Sequence, residues 1–128
     1  MEMVTQNPYK ESKKIALESM SKGEVVIKLF EEASKQIKLG ILLIQKDDVA
    51  KAYNAVAKAQ KVVSSLSQSL DMNYPISGEL REMYDFLYTK LGEANVSKDI
   101  ALLDDLWKLV NELKDAFKEA DKINRGLR

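Results

Sequence analysis

The sequence predicts an all-α fold, an antiparallel up-down four-helix bundle with a short N-terminal cap. Three observations carry this. Apolar residues recur at alternating steps of three and four through four successive segments. Only short runs bearing Asp, Pro, Gly or Ser separate those segments, and no stretch shows the period-two alternation of a strand.

The first long helix is expected to open at Ser21, which forms a capping box with Glu24. Hydroxyl and carboxylate each satisfy a backbone donor that the first turn leaves unpaired. Its stripe, Val26, Phe30, Ala33, Ile37, Gly40 and Ile44, runs to about Gln45. Asp47 and Asp48 end that helix and cap the next, whose stripe is Ala52, Val56, Ala59, Val63, Leu66 and Leu70. Pro75 and Gly78 in "NYPISGE" punctuate the chain, and Ser77 is expected to cap a third helix with stripe Leu80, Tyr84, Leu87, Leu91 and Ala94. Ser97, Asp99 and Ile100 open the fourth, striped by Leu103, Leu106, Val110, Leu113, Phe117 and Ala120.

Helices of roughly 20 to 25 residues span about 30 to 38 Å. Short loops between elements of that length leave antiparallel neighbours as the simple arrangement. The expected organisation is a single bundle domain over residues 21–128, preceded by an arm over residues 1–20 with a weak helical stub at Ser12 to Ser19. A stub that short is ordered only by lying against the bundle.

Composition restricts the chemistry. With no Cys and no His in 128 residues there is no disulfide framework, no thiolate and no His-based triad, zinc site or haem ligation. A di-metal site in a bundle wants Glu-x-x-His pairs, which are missing. The pairs Glu31–Glu32 and Asp104–Asp105 read as solvated helix faces. No cofactor, no metal and no enzymatic activity are expected. Twenty basic residues balance twenty acidic ones, so nucleic acid is not an expected partner. The N-terminus lacks a signal-peptide pattern, and "IKLGILLI" is too short to span a bilayer, so membrane insertion is not expected and a cytoplasmic location is.

The helices carry more apolar surface than one stripe each. Val25, Leu29 and Ile41 widen the first, Ala55 and Val62 the second, Met83 and Tyr88 the third, and Leu102, Trp107 and Leu109 the fourth. One reading makes all of these core, since a globular helix has a wide apolar face. The other sees in Ala52, Ala55, Ala59 and the serines of "KAQKVVSSLSQSLD" a shallow trough on helix two that receives an external amphipathic segment. Taken alone, the serine run also fits a solvated face.

"NPYK", "KAQKVVSSLSQSLD", "MYDFLYTKLGEAN" and "LWKLVNELKDAFKEA" resemble, in order and spacing, the flagellin-specific export chaperones of the FliS family, over nearly the whole chain. "SKGEVVIKLFEEA" departs from the family pattern, with Lys22 where proline is common and Phe30 where tyrosine is common; "ISGE" replaces a two-glycine turn. The resemblance implies a four-helix bundle with an N-terminal cap. It also implies a one-to-one partner, the C-terminal segment of flagellin, which is disordered in the monomer and becomes helical in the filament. Docking to the flagellar export gate and to other flagellar regulators is implied as well.

By match to the family, client contacts fall on Ala52, Ala55, Ala59, Gln60, Val62, Val63 and Leu66 of helix two and on Tyr84, Leu87, Tyr88 and Leu91 of helix three. Pro8, Tyr9 and Ile15 are assigned to the cap that covers apolar surface until the client arrives. Asn95 is expected to close a helix end or to bond a client backbone. The alternative to a chaperone is a self-associating structural or regulatory bundle, whose wide stripes would form a homodimer interface.

Overall fold

The computed structural model describes residues 22–126, which form four α-helices: α1 (Lys22–Gln45), α2 (Val49–Gln68), α3 (Ile76–Ser97) and α4 (Ile100–Gly126). The expected arm, with Pro8, Tyr9, Ile15 and the Ser12–Ser19 stub, lies outside the described residues, as does Ser21 of the expected capping box.

Two of the three connections use one device. At the end of α1, Asp47 takes a left-handed conformation (φ 61°), its N–H bonds to the Ile44 carbonyl, and the Asp48 N–H bonds to the Leu43 carbonyl. At the end of α3, Lys98 does the same (φ 57°), with the Asp99 N–H bonded to the Ala94 carbonyl. This 6→1 closure satisfies carbonyls that the last turn leaves open. In both cases the residue after the left-handed one is an aspartate that caps the following helix. Asp48 accepts from the Lys51 N–H at 3.3 Å and Asp99 from the Leu102 N–H at 3.0 Å.

The connection from α2 to α3 departs from expectation. Pro75 already has helical angles and Ile76 begins α3, so Ser77 lies inside the first turn and does not cap it. Proline is pre-set for a helix start, which moves the start upstream of the serine. The Ser77 side chain is buried, and its hydroxyl instead donates to the Asp71 carbonyl, bracing the turn.

Cross-helix contacts fix the directions. Lys118 pairs with Glu31, Ser34 donates to Asn111, and the Lys38 ammonium lies 4.5 Å from the Trp107 ring centroid, so α1 and α4 run antiparallel. Contacts of Asn95 with Tyr53 and of Gln60 with Tyr88 make α2 and α3 antiparallel. At Gly40 an added Cβ would stand 2.7 Å from Val56 Cγ2, so small residues let α1 and α2 approach closely. Around the bundle the order is α3, α2, α1, α4, and the closing pair, α3 with α4, touches least.

The core is built from the expected stripes. Phe30, Ala33, Ile37, Ala52, Val56, Ala59, Val63, Leu66, Tyr84, Leu87, Leu91, Ala94, Leu103, Leu106 and Val110 are buried, and Ile41 and Ala55 join them from the widened faces. Val26, Ile44, Leu70, Leu80, Leu113 and Phe117 pack at the edges, half-buried. No helix among the described residues is long and apolar enough to cross a membrane.

Candidate functional site

The stripes of α2 and α3 turn most of the residues singled out from the sequence inward. Ala52, Ala59, Leu87 and Leu91 have no exposed surface, and Ala55, Val63, Leu66 and Tyr84 keep 3% or less. The physical reason is visible on α2. Its small side chains admit the neighbouring helices into van der Waals contact, so no trough is left over Ala52 or Ala59. Val62 and Gln60 are half-buried and Tyr88 is exposed. Ala55 lies away from the α2–α3 seam, at the edge of a groove between α1 and α2.

A surface cavity does lie between α2 and α3. It has a volume of about 280 Å³, and Val63, Ser64, Ser67, Gln68, Arg81, Tyr84, Asp85 and Tyr88 line it. Three of the expected contact residues thus converge on it, Val63, Tyr84 and Tyr88. Burial pushes the Tyr84 phenol up to about 12, so at neutral pH the ring is uncharged. Arg81 and Asp85 put one charge of each sign on the lining.

The serine run is explained by the same surface. Ser64 and Ser67 line the cavity, whereas Ser65 and Ser69 turn their hydroxyls back onto their own helix, to the carbonyls of Lys61 and Leu66. This stretch therefore offers a low surface without long charged side chains. Towards the other end of the same seam, Gln60 Nε2 donates to the Tyr88 carbonyl at 3.0 Å and Asn95 Nδ2 to the Tyr53 carbonyl at 3.1 Å. Lys98 Nζ donates in turn to the main-chain and side-chain oxygens of Asn95. Lys98, not Asn95, is the residue that closes the end of α3; Asn95 lies in the last turn and ties it to α2.

Sequence reasoning missed two residues of this face. Tyr53 is 52% exposed and Val96 82%, against 47% for Tyr88. Val96 continues the row Tyr88, Gly92, Val96 in steps of four, and Tyr53 stands seven residues before Gln60 on the facing helix. That spacing was the available signal; attention to the buried stripe hid it. Tyr88 lines the cavity, Tyr53 is exposed further along the same seam beside Asn95, and Val96 is exposed near the end of α3.

Fold and surface together define a four-helix bundle with a grooved, aromatic-bearing face between its second and third helices. Residues 5–124 match the model of the family described as Flagellar protein FliS, and the chain belongs to that family, whose members are not enzymes. The chain is 29% identical to the flagellar secretion chaperone FliS of Bacillus subtilis, across 96% of this chain and 92% of the relative. It is 26% identical to the protein of that name from Vibrio cholerae, across 84% and 83%, and 25% identical to that from Salmonella typhimurium, across 81% and 79%.

Proposed function

We propose that this protein is a cytoplasmic flagellar secretion chaperone that holds the C-terminal segment of flagellin, one-to-one, against the α2–α3 face. The observation that carries the site is the inter-helix cavity with Tyr88 exposed on its lining and Tyr53 exposed further along the same seam. A segment that orders on binding loses conformational entropy, and a long apolar track with little charge offsets that loss through buried area. Covering the client's apolar surface keeps it from polymerising before export. Among the residues assigned by family resemblance, Tyr88 and Gln60 touch the client directly, whereas Val62, two turns after Ala55, belongs to the α1 side of α2. The buried ones, Ala52, Ala59, Val63, Leu66, Tyr84, Leu87 and Leu91, support the face from beneath, and Ala55 lies on the opposite side of α2.

The same reading includes a cap over apolar surface. A cavity of about 580 Å³ opens where α1 begins, lined on its apolar side by Val25, Val26, Leu70, Tyr74, Leu80 and Phe117. The cap assigned to Pro8, Tyr9 and Ile15 would cover apolar surface of this kind until the client arrives. Docking to the export gate and other flagellar regulators belongs to this reading too.

The deciding experiment is co-purification with a flagellin C-terminal fragment, using wild type and the double variant Tyr53→Asp with Tyr88→Asp. Both side chains are half exposed, so the helical circular dichroism should hold while the complex is lost. A variant that retains the fragment would remove the α2–α3 face from consideration. A wild type that ignores the fragment and forms a tight dimer by light scattering would overturn the chaperone reading.

A further inference from the structure

A different observation points to a second surface. The chain as a whole is neutral, yet α2 carries Lys51, Lys58 and Lys61 and no acidic residue along its length. Lys51 and Lys58, seven residues apart, border the groove between α1 and α2, a cavity of about 340 Å³ whose other walls include Leu39, Leu43, Ala55 and Gln36. Leu39 is 40% exposed there.

Of the acids nearby, one already pairs with a lysine of the groove, while Lys58 has no ion pair within 4 Å among the described residues. Asp48 caps α2 through the Lys51 N–H and stands 3.8 Å from its ammonium, whereas Glu32 accepts from Gln36 Nε2 at 2.7 Å. That bond fixes the Gln36 amide and leaves Gln36 Oε1 as the buried side-chain atom without a hydrogen-bond partner among the described residues. Gln36 lines the groove and is only 6% exposed, so its unpaired acceptor is enclosed just beneath that surface.

We propose that the α1–α2 groove is a second peptide-docking site, taking a short acidic amphipathic helix from a partner protein other than the client. Two apolar side chains of such a helix seat against Leu39, Leu43 and Ala55. Carboxylates on its flanks meet Lys58 and, in exchange for the exposed Asp48 pairing, Lys51, whose spacing from Lys58 spans about two helical turns, roughly 10 Å. A hydrogen-bond donor on the docked segment, after a small rotation of the Gln36 amide, completes Oε1. The α2–α3 face has none of this one-sided charge, since Arg81 and Asp85 balance there. One chaperone could thus hold client on one side of α2 and a second protein on the other.

The probe is a fluorescein-labelled synthetic amphipathic peptide of about four helical turns, with leucines on one face and glutamates flanking them, read by fluorescence anisotropy against the full-length protein. Binding should be saturable, should weaken with added salt, and should drop at least about tenfold in the exposed double variant Lys51→Glu with Lys58→Glu. Leu39→Ser should weaken it independently, and the same peptide with lysines for glutamates should not bind. Capture of a flagellin C-terminal fragment should be unchanged in the double variant. The proposal is overturned if the acidic peptide fails to bind, if the basic peptide binds equally, if the double variant binds like wild type, or if the flagellin fragment displaces the peptide completely. Failure of flagellin capture alongside selective acidic-peptide binding would strike the client reading and leave the groove standing.

Discussion

Gln60 on α2 donates its side-chain amide to the main-chain carbonyl of Tyr88 on α3, 3.0 Å away, and the amide lies close against Gly92. A Cβ at Gly92 would stand 3.0 Å from Gln60 Nε2, tight enough to push the amide aside. The face that presents Tyr88 is therefore held by a pair of residues, one reaching and one leaving room.

Gly92→Ala gains about 1 kcal/mol of helix propensity and should lose about the same by displacing the Gln60 bond. The expected net change in unfolding free energy is near zero. In a Gln60→Ala background, which itself loses about 1 kcal/mol, the same Gly92→Ala change should stabilise by about 1 kcal/mol. Urea unfolding of the four proteins measures the coupling, and strict additivity would show that the bond contributes nothing.

Gly40 is the counterpart on the other side of α2, but there the neighbour cannot swing away. The atom 2.7 Å from an added Cβ is Val56 Cγ2, a short branched side chain buried in the core. Overpacking of about 1 to 3 kcal/mol should offset or outweigh the propensity gain of about 1 kcal/mol, so Gly40→Ala should lower stability by up to about 2 kcal/mol. Adding Val56→Ala should relieve the clash, making the double variant less unstable than the sum of the singles. Thermal melts of the three variants decide this.

Periodicity made the four helices and their inward stripes readable, because a buried helix face repeats in sequence whatever it packs against. Asp48 and Asp99 were readable as caps for the same reason: the chemistry is local. Ser77 was misread because Pro75, two residues upstream, already supplies a helix start, and the serine's true partner is the Asp71 carbonyl across a turn. The binding face was only half readable. Small residues such as Ala52 and Ala59 look alike whether they leave a trough or admit a neighbouring helix, and only the packing of α1 and α3 against α2 decides between the two. Tyr53 and Val96 stood outside any core stripe, where exposure depends on which helix is missing next to them.

Asp47 and Lys98 occupy equivalent left-handed positions, yet glycine should suit only one of them. Lys98 donates to both oxygens of Asn95 and stacks its ammonium 5.1 Å from the Tyr53 ring centroid. Asp47→Gly should relieve the steric cost of a Cβ at positive φ and raise stability by about 0.5 to 1 kcal/mol. Lys98→Gly should gain no more than a fraction of that, because the ties to Asn95 are lost with it. Equal gains at the two sites would mean that the lysine contacts are without weight.

Tyr84 should mark the alkaline limit of the fold. Its phenol ordinarily titrates near 10, and burial pushes it up to about 12. The unfolded chain therefore releases this proton first, and the folded state keeps it. The stability tied to the neutral ring is complete below about pH 10, declines as pH rises towards 12, and amounts to roughly 2 to 3 kcal/mol for a shift of two units. Tyr84→Phe should flatten that part of the pH–stability curve relative to wild type, measured by denaturant unfolding between pH 9 and 12 (a range set by the same two values). A parallel decline in both proteins would assign the alkaline loss to other groups.

Leu87 and Tyr88 are neighbours in sequence but belong to different faces, and this separates support from contact. Leu87 has no exposed surface, so Leu87→Ala removes core volume and should lose about 2 to 5 kcal/mol of stability. At a temperature where the variant is still folded, its affinity for a flagellin C-terminal fragment should change little. Tyr88 is nearly half exposed, so Tyr88→Ala should shift stability by less than about 1 kcal/mol. Its effect should appear in the complex instead, because a half-exposed tyrosine offers a partner a broad ring without giving up its own anchorage. A weakening of about tenfold or more by titration calorimetry, about 1.4 kcal/mol or above, is the expected result. If Leu87→Ala abolished binding while fully folded and Tyr88→Ala did not, the client would have to enter the bundle between α2 and α3 rather than lie upon it.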